Sequence, residues 1–484
     1  MLPRRPADAA RPHVNLILAV LLLGISAYAL LQSLVAPVLA TLIVTLHTTQ
    51  DTATWLMTGY LLSASVATPI LGRIGDKVGK ERMLIITLLG LTVGSGLAAL
   101  SHSIGLMIVA RVIQGLGGGM IPLSFGIIRD EFPHDKINSA IGLCSAMIAV
   151  GAGLGLLVAG PIVEHLNYHW LFWIPMIMTG LATVATWLWI PESPVRTPGR
   201  ISWGAAGLLS AWLVMLLLAA SEGPDWGWGS GKVLGLFAGA IVCFPLWVWT
   251  ELRSSQPLID MRMMRLPAVW TTNVVALLFG FGMYAVMTFL PQLVQTPKAI
   301  AGYGFSASIT QSGVYLLPMT ICMFLLGIAA APLAQRIGLK GVLVLGSIAS
   351  IPGYVLLAVG HDKSWEIYVA ASLLGIGIGL AFSAMSAIVV KSVTPAQTGV
   401  ASGMNANIRT IGGAIGSSVA ASLLASGVTA AHPIPKDSGY THVFWLLVAA
   451  SVLAVLAAFI IPAVKNQSPA PVDAPDEAEL TPSV

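Results

Sequence analysis

Apolar residues along this chain come in long runs separated by short polar bridges, rather than alternating with polar positions at a strand or surface-helix period. Fourteen runs occur, at about 14–42, 52–72, 83–101, 104–127, 138–163, 169–190, 203–221, 233–250, 267–292, 307–332, 340–360, 366–390, 399–426 and 442–463. Each is close to the ~20 residues that a helix rising 1.5 Å per residue needs to cross a ~30 Å hydrocarbon layer. In such a layer each backbone group must be satisfied internally, so the pattern predicts an all-α membrane protein of fourteen spans.

Composition agrees with this reading. Of 484 residues, 56% are hydrophobic and 9% charged, against ~25% charged in ordinary soluble domains. A formal charge of +4 would suggest nucleic acid in a soluble protein. Here it follows from where the bases fall. With the N-terminus inside, 18 of the 24 Lys and Arg lie in inner segments. Only Lys232, Lys298, Lys363 and Lys436 lie outside, and Arg111 and Arg409 remain within spans. That bias predicts cytoplasmic N- and C-termini. Cys144, Cys243 and Cys322 sit in apolar runs, which suits small core residues and neither a disulfide framework nor a metal site. The basic segment 1–13 precedes a run too long for a signal-peptide core, so it reads as a cytoplasmic tail, and the Pro-rich acidic 464–484 reads as a disordered one.

The second half repeats the first. AAPLAQRIGLKGVLV matches the segment after span two with Gln335 on Asp76, Arg336 on Lys77 and Gly338 on Gly79. In the next matched pair Gly375 falls on Gly115 and Gly377 on Gly117; in the third, Gly403, Gly412 and Gly416 fall on Gly142, Gly151 and Gly155. Nearly constant offsets define two homologous six-span units, 14–190 and 267–463, with 191–266 a linker carrying two extra spans.

The connector GRIGDKVGKERML, Gly72 to Leu84, joins spans two and three and holds four bases against two acids. It is similar to the GxLaDrxGrkxxl signature of the major facilitator superfamily through Gly72, Ile74, Asp76, Lys77, Gly79, Lys80 and Leu84; Glu81 departs from it. Span four, IVARVIQGLGGGMIPL, resembles the superfamily's lxxxRxxqGxgaa motif through Arg111, Gln114, Gly115 and Gly117. Span five, GAGLGLLVAGP, resembles the antiporter signature gxxxGPxxGG through Gly151, Gly155 and Gly160, with Leu156 and Ala159 departing and Pro161 displaced. WLMTGYLLSASVATPILGRIGDK and NYHWLFWIP resemble segments of the fourteen-span drug:proton antiporters, and the likeness covers all spans.

The resemblance implies the major facilitator fold, two pseudo-symmetric six-helix bundles plus two extra central helices. It implies a monomeric multidrug efflux transporter of the cytoplasmic membrane, exchanging a hydrophobic drug or metabolite for protons, with no cofactor beyond the proton gradient. The alternative is a dedicated transporter of one endogenous solute such as a lipid or organic anion. No convergent nucleophile and base suggests an enzyme, and no rings of like charge suggest a channel. By the same likeness Asp76 latches a gate, its carboxylate meeting Arg129 and the N-terminal end of span thirteen, with Gly72, Lys77, Gly79 and Lys80 forming the turn.

Arg111, Gln32, Asp51, Glu164 and Arg409 are the coupling candidates. An intramembrane arginine costs at least ~2.5 kcal/mol unless it faces a partner or a wet cavity. Gln32 is the strongest polar group of a span one without an acid. A cavity implied between spans one, two, four, five, nine, ten, twelve and thirteen draws its candidates from Gln32, Trp55, Tyr60, Gln114, Met283, Tyr284, Met287, Gln311, Tyr315, Asn405, Asn407 and Arg409. Met and aromatic surfaces suit varied apolar ligands. With no Asp or Glu at the middle of any predicted span, Arg111 and Arg409 are expected to favour anionic or neutral ligands over cations.

Overall fold

The computed structural model describes residues 14–193, 202–254, 257–394, 397–426 and 434–462; the two tails lie outside the described residues. Thirteen helices among these are long and apolar enough to cross a membrane. One of them, Ile309–Val359, is 51 residues long and holds two spans, because Gly338 (φ 77°, ψ 159°) leaves the helical region and turns the chain back. The fourteen spans are therefore Val14–Val38, Thr52–Val78, Lys80–Ala99, Ile104–Glu131, Ser139–His165, Trp170–Trp189, Trp203–Trp226, Gly231–Arg253, Pro267–Gln295, 309–337, 339–359, Ser364–Ser392, Thr398–Ala425 and Asp437–Ile460, called spans one to fourteen below. The protein is a multi-pass membrane protein.

Gly79, the position that Gly338 repeats, also has a positive φ, 130°. The hairpins after spans two and ten thus turn on matching glycines, where a side chain would strain the backbone. Around Gly338 a Cβ would meet open space, whereas at Gly79 it would collide with the Glu192 carboxylate.

The repeat is equally plain in the packing. Span five lies on span one and span thirteen on span nine. A Cβ at Gly151 or Gly155 would run into Ala29 or Ser33 of span one; at the matched Gly412 and Gly416 it would overlap the carbonyls of Leu277 and Phe281 in span nine. Gly115 and Gly375 play the same part against spans two and ten, where Ser63 and Met319 press on them. Small residues let these backbones approach within the dispersion range that drives helix association in lipid. The halves differ in span four. Its GLGGG stretch tightens into a 3-10 turn, Gly115–Gly119, between helices Ile104–Gln114 and Met120–Glu131, whereas span twelve is one α-helix.

Spans two and thirteen meet across the bundles, as do five and ten. Span twelve is central and almost wholly buried, and span eight is peripheral, with Ile241 and Val242 turned outward. The extra pair is attached through span seven, which lies along spans two and thirteen. Trp228 closes the attachment by donating from Nε1 to Ser422 Oγ at 2.8 Å. Span seven also runs past the end of its apolar run at 221, to Trp226, so Glu222 lies inside a helix and is buried.

Candidate functional site

Between the bundles lies a cavity of about 230 Å³. Arg409 is eleven residues beyond the start of span thirteen, ~16 Å along the helix and so near the middle of a ~30 Å layer. Its guanidinium lies 3.9 Å above the Phe382 ring of span twelve, a cation–π arrangement. Gln32, Tyr60, Met283, Tyr284, Met287, Asn407 and Arg409 all line this chamber, together with Arg111.

Five other candidates are placed elsewhere. Gln311 is exposed and closes a capping box with Ser308 at the start of span ten. Tyr315 stacks on Tyr368 at 5.0 Å and bonds Ser364. Asn405 donates to Asn273 Oδ1 at 2.9 Å beside a smaller void below the chamber. Trp55 is partly buried away from the lining. Gln114 is buried behind it, accepting from Arg111 Nη1 at 2.8 Å and donating to Ser95 at 3.1 Å.

Arg111 is held on nearly every side. Besides Gln114 it bonds the carbonyls of Leu56 at 2.9 Å and Leu31 at 3.3 Å, and its guanidinium lies 4.2 Å over the Tyr60 ring. It therefore ties spans one, two and four together with no carboxylate involved among the described residues. Glu164 is exposed at the end of span five, outside the chamber, and the Asp51 side chain lies outside the described residues. The chamber also takes in Tyr28, one helical turn before Gln32, and Ser221 of span seven. The i, i+4 spacing of Tyr28 and Gln32 was the available signal for the first; nothing in the sequence pointed to the second.

The two ends of the chamber are closed differently. On the far side, Gln32 Nε2 of span one donates to the Tyr284 hydroxyl of span nine at 3.1 Å, a neutral bridge between bundles. At its floor Asn407 Nδ2 donates to the Ser65 carbonyl at 2.6 Å. On the hairpin side the contact rests on a charged donor bonded to neutral acceptors. Arg129, from the end of span four, donates to the Val390 and Val393 carbonyls at the end of span twelve and to Thr398 Oγ1 at 3.0 Å. A cation there meets the negative end of the span-twelve dipole.

Asp76 does not meet Arg129. It is buried with Lys80, whose Nζ lies 3.7 Å from Asp76 Oδ1 and 2.6 Å from Asp130 Oδ2. Its carboxylate does face the first turn of span thirteen, since a Cβ at Gly399 would come within 3.3 Å of Oδ1. The contact between the bundles is thus shared: Asp76 against the positive end of span thirteen, Arg129 against the negative end of span twelve. Gly72 permits it by lying against Pro122 and the Gly399 carbonyl, while Lys77 is half-buried beside them. Glu192, just past span six, packs on Gly79 and pairs with Arg82 at 3.1 Å.

Two bundles related by an internal repeat, a chamber at mid-membrane and separate closures above and below define a membrane transporter in structural terms. The comparisons give the family. The Major Facilitator Superfamily profile matches residues 21–417 and 298–483, and the chain belongs to that superfamily. It is 28% identical over 433 residues to the tetracenomycin C resistance and export protein of Streptomyces glaucescens, covering 87% of this chain and 78% of that protein. It is 27% identical over 400 residues to multidrug resistance protein 3 of Bacillus subtilis strain 168, covering 82% and 77%. In fold it is similar to the human organic anion transporter MFSD10 (TETRAN), with a TM-score of 0.68 over 93% of this chain and 100% of that one, at 17% identity.

Proposed function

We propose that this protein exports hydrophobic small molecules, drugs or metabolites, from the cytoplasm by alternating access, with inward proton movement as the driving force. The observation that carries the reading is the chamber itself, walled by both bundles and closed by a neutral bridge on one side and a charged latch on the other. Its Met and aromatic surface can repack around different apolar ligands. The relatives named for drug resistance and export favour the outward direction. In this reading the hairpin face is cytoplasmic, the membrane is the cytoplasmic one, the working unit is a monomer, and no cofactor, nucleic acid or covalent chemistry takes part.

The second reading, a transporter dedicated to one solute such as an organic anion, is favoured by a specific feature: among the described residues, the only charged side chains lining the chamber are two arginines. Proton coupling comes from the family likeness of the span-four and span-five motifs. The test is dye transport by the purified protein in liposomes after a pH jump. Dye movement that follows the imposed gradient, with proton release on dye addition, supports antiport; transport that ignores it removes the proton, and no transport of any dye removes the reading.

A further inference from the structure

We infer that Arg409 is the anchor of a binding site for an organic anion, a compact aromatic carboxylate or equivalent acid; this deepens the transport reading and rests on it. Arg409 is 6% exposed, lines the chamber beside Tyr28 and Tyr284, and among the described residues has no carboxylate or carbonyl bonded to its guanidinium, which lies over the Phe382 face. A guanidinium carries five N–H donors, and leaving a buried charge without an acceptor is costly. Arg111 shows what a satisfied arginine looks like in this same protein, with three acceptors around it. The difference assigns Arg111 to holding helices together and Arg409 to an incoming ligand.

The surroundings narrow the chemistry. Among the described residues no Asp or Glu lines the chamber, and Glu222, the buried acid of span seven, follows Ser221 in sequence without itself lining it. A cation entering here would face two positive charges at low dielectric with no carboxylate among the described lining residues, and an anion would gain a two-pronged bond to the guanidinium fork. The Phe382 ring leaves the edge of the guanidinium available, while Met283, Met287 and Tyr284 offer apolar and aromatic contact to the rest of the ligand. A volume of about 230 Å³ is below the ~300–1,000 Å³ usual for drug-sized ligands, which suits a one- or two-ring acid.

The test uses three probes of one shape: 1-naphthoate, neutral 1-naphthamide and cationic 1-naphthylmethylammonium, titrated into the full chain in lipid nanodiscs and read by tryptophan fluorescence and thermal shift. Naphthoate is expected to bind at least tenfold tighter than the amide, and the cation weakest of all. Arg409→Gln should bring naphthoate to within about twofold of the amide's affinity measured in the same variant, with a cooperative thermal melt reporting that the variant is folded; Arg409→Lys should keep part of the preference. Equal or tighter binding of the amide or the cation, no naphthoate binding, or a preference that survives Arg409→Gln overturns the inference. Because these are binding measurements, such results leave the transport reading to be judged separately by dye movement in liposomes.

Discussion

Arg129 is a single side chain from one bundle that bonds three acceptors in the other, so its removal has a calculable effect on the gate. Arg129→Ala deletes the donors to Val390 O, Val393 O and Thr398 Oγ1. Hydrogen bonds to charged groups contribute ~1.5–3 kcal/mol each. Arg129 is only half-buried and is rehydrated when the gate opens, so about 1 kcal/mol per bond is the appropriate figure. Three bonds then favour the latched state by ~3 kcal/mol, on the order of a hundredfold in the gate equilibrium. The readout is alkylation of a cysteine at Ser386, which lines the small void below the chamber, by a membrane-impermeant maleimide applied to the hairpin face, with the three native cysteines replaced. If the open gate is the minor state, the labelling rate scales with its population, and Arg129→Ala should accelerate it by one to two orders of magnitude. A change under twofold would refute the assignment of Arg129 as a cross-bundle latch.

Other outcomes follow from the same contacts. Lys80→Met leaves Asp76 and Asp130 buried without their shared cation and should cost ~3–5 kcal/mol. That appears as a clear fall in the melting temperature in detergent, partly recovered by adding Asp130→Asn. Gly79→Ala should lower thermal stability more than Gly338→Ala: both strain a positive φ by ~1 kcal/mol, but only Gly79 also has the Glu192 carboxylate against it. Tyr284→Phe removes one neutral bridge worth ~1 kcal/mol. It should raise labelling of a chamber cysteine from the far face only about fivefold, well short of the Arg129 effect on the hairpin face.

The elements were legible in the sequence because lipid imposes a length on every apolar run and forbids polar interruptions. Even the hairpins could be placed, since the glycines at 79 and 338 sit at matching offsets and both need a positive φ. The rotation of each helix about its axis was not legible. A span that is apolar all round carries little amphipathic signal to say which face meets the cavity. Tyr315 and Gln311 therefore looked as suitable as Tyr284 and Gln32, although one stacks on Tyr368 and the other caps its helix. Ionic partners were equally hidden. Lys80 reaches Asp130 across 50 positions of sequence, a pairing set by how spans three and four pack and by nothing in the local pattern.

The account stands most directly on the chamber being reachable from both faces in turn. A cysteine replacing Thr410, which lines it beside Arg409, can be labelled by impermeant maleimides from each face of the membrane in oriented vesicles. Labelling from either face is predicted, with conditions that raise one rate lowering the other. Labelling from one face alone under every condition, or from both with rates that rise together, would contradict it.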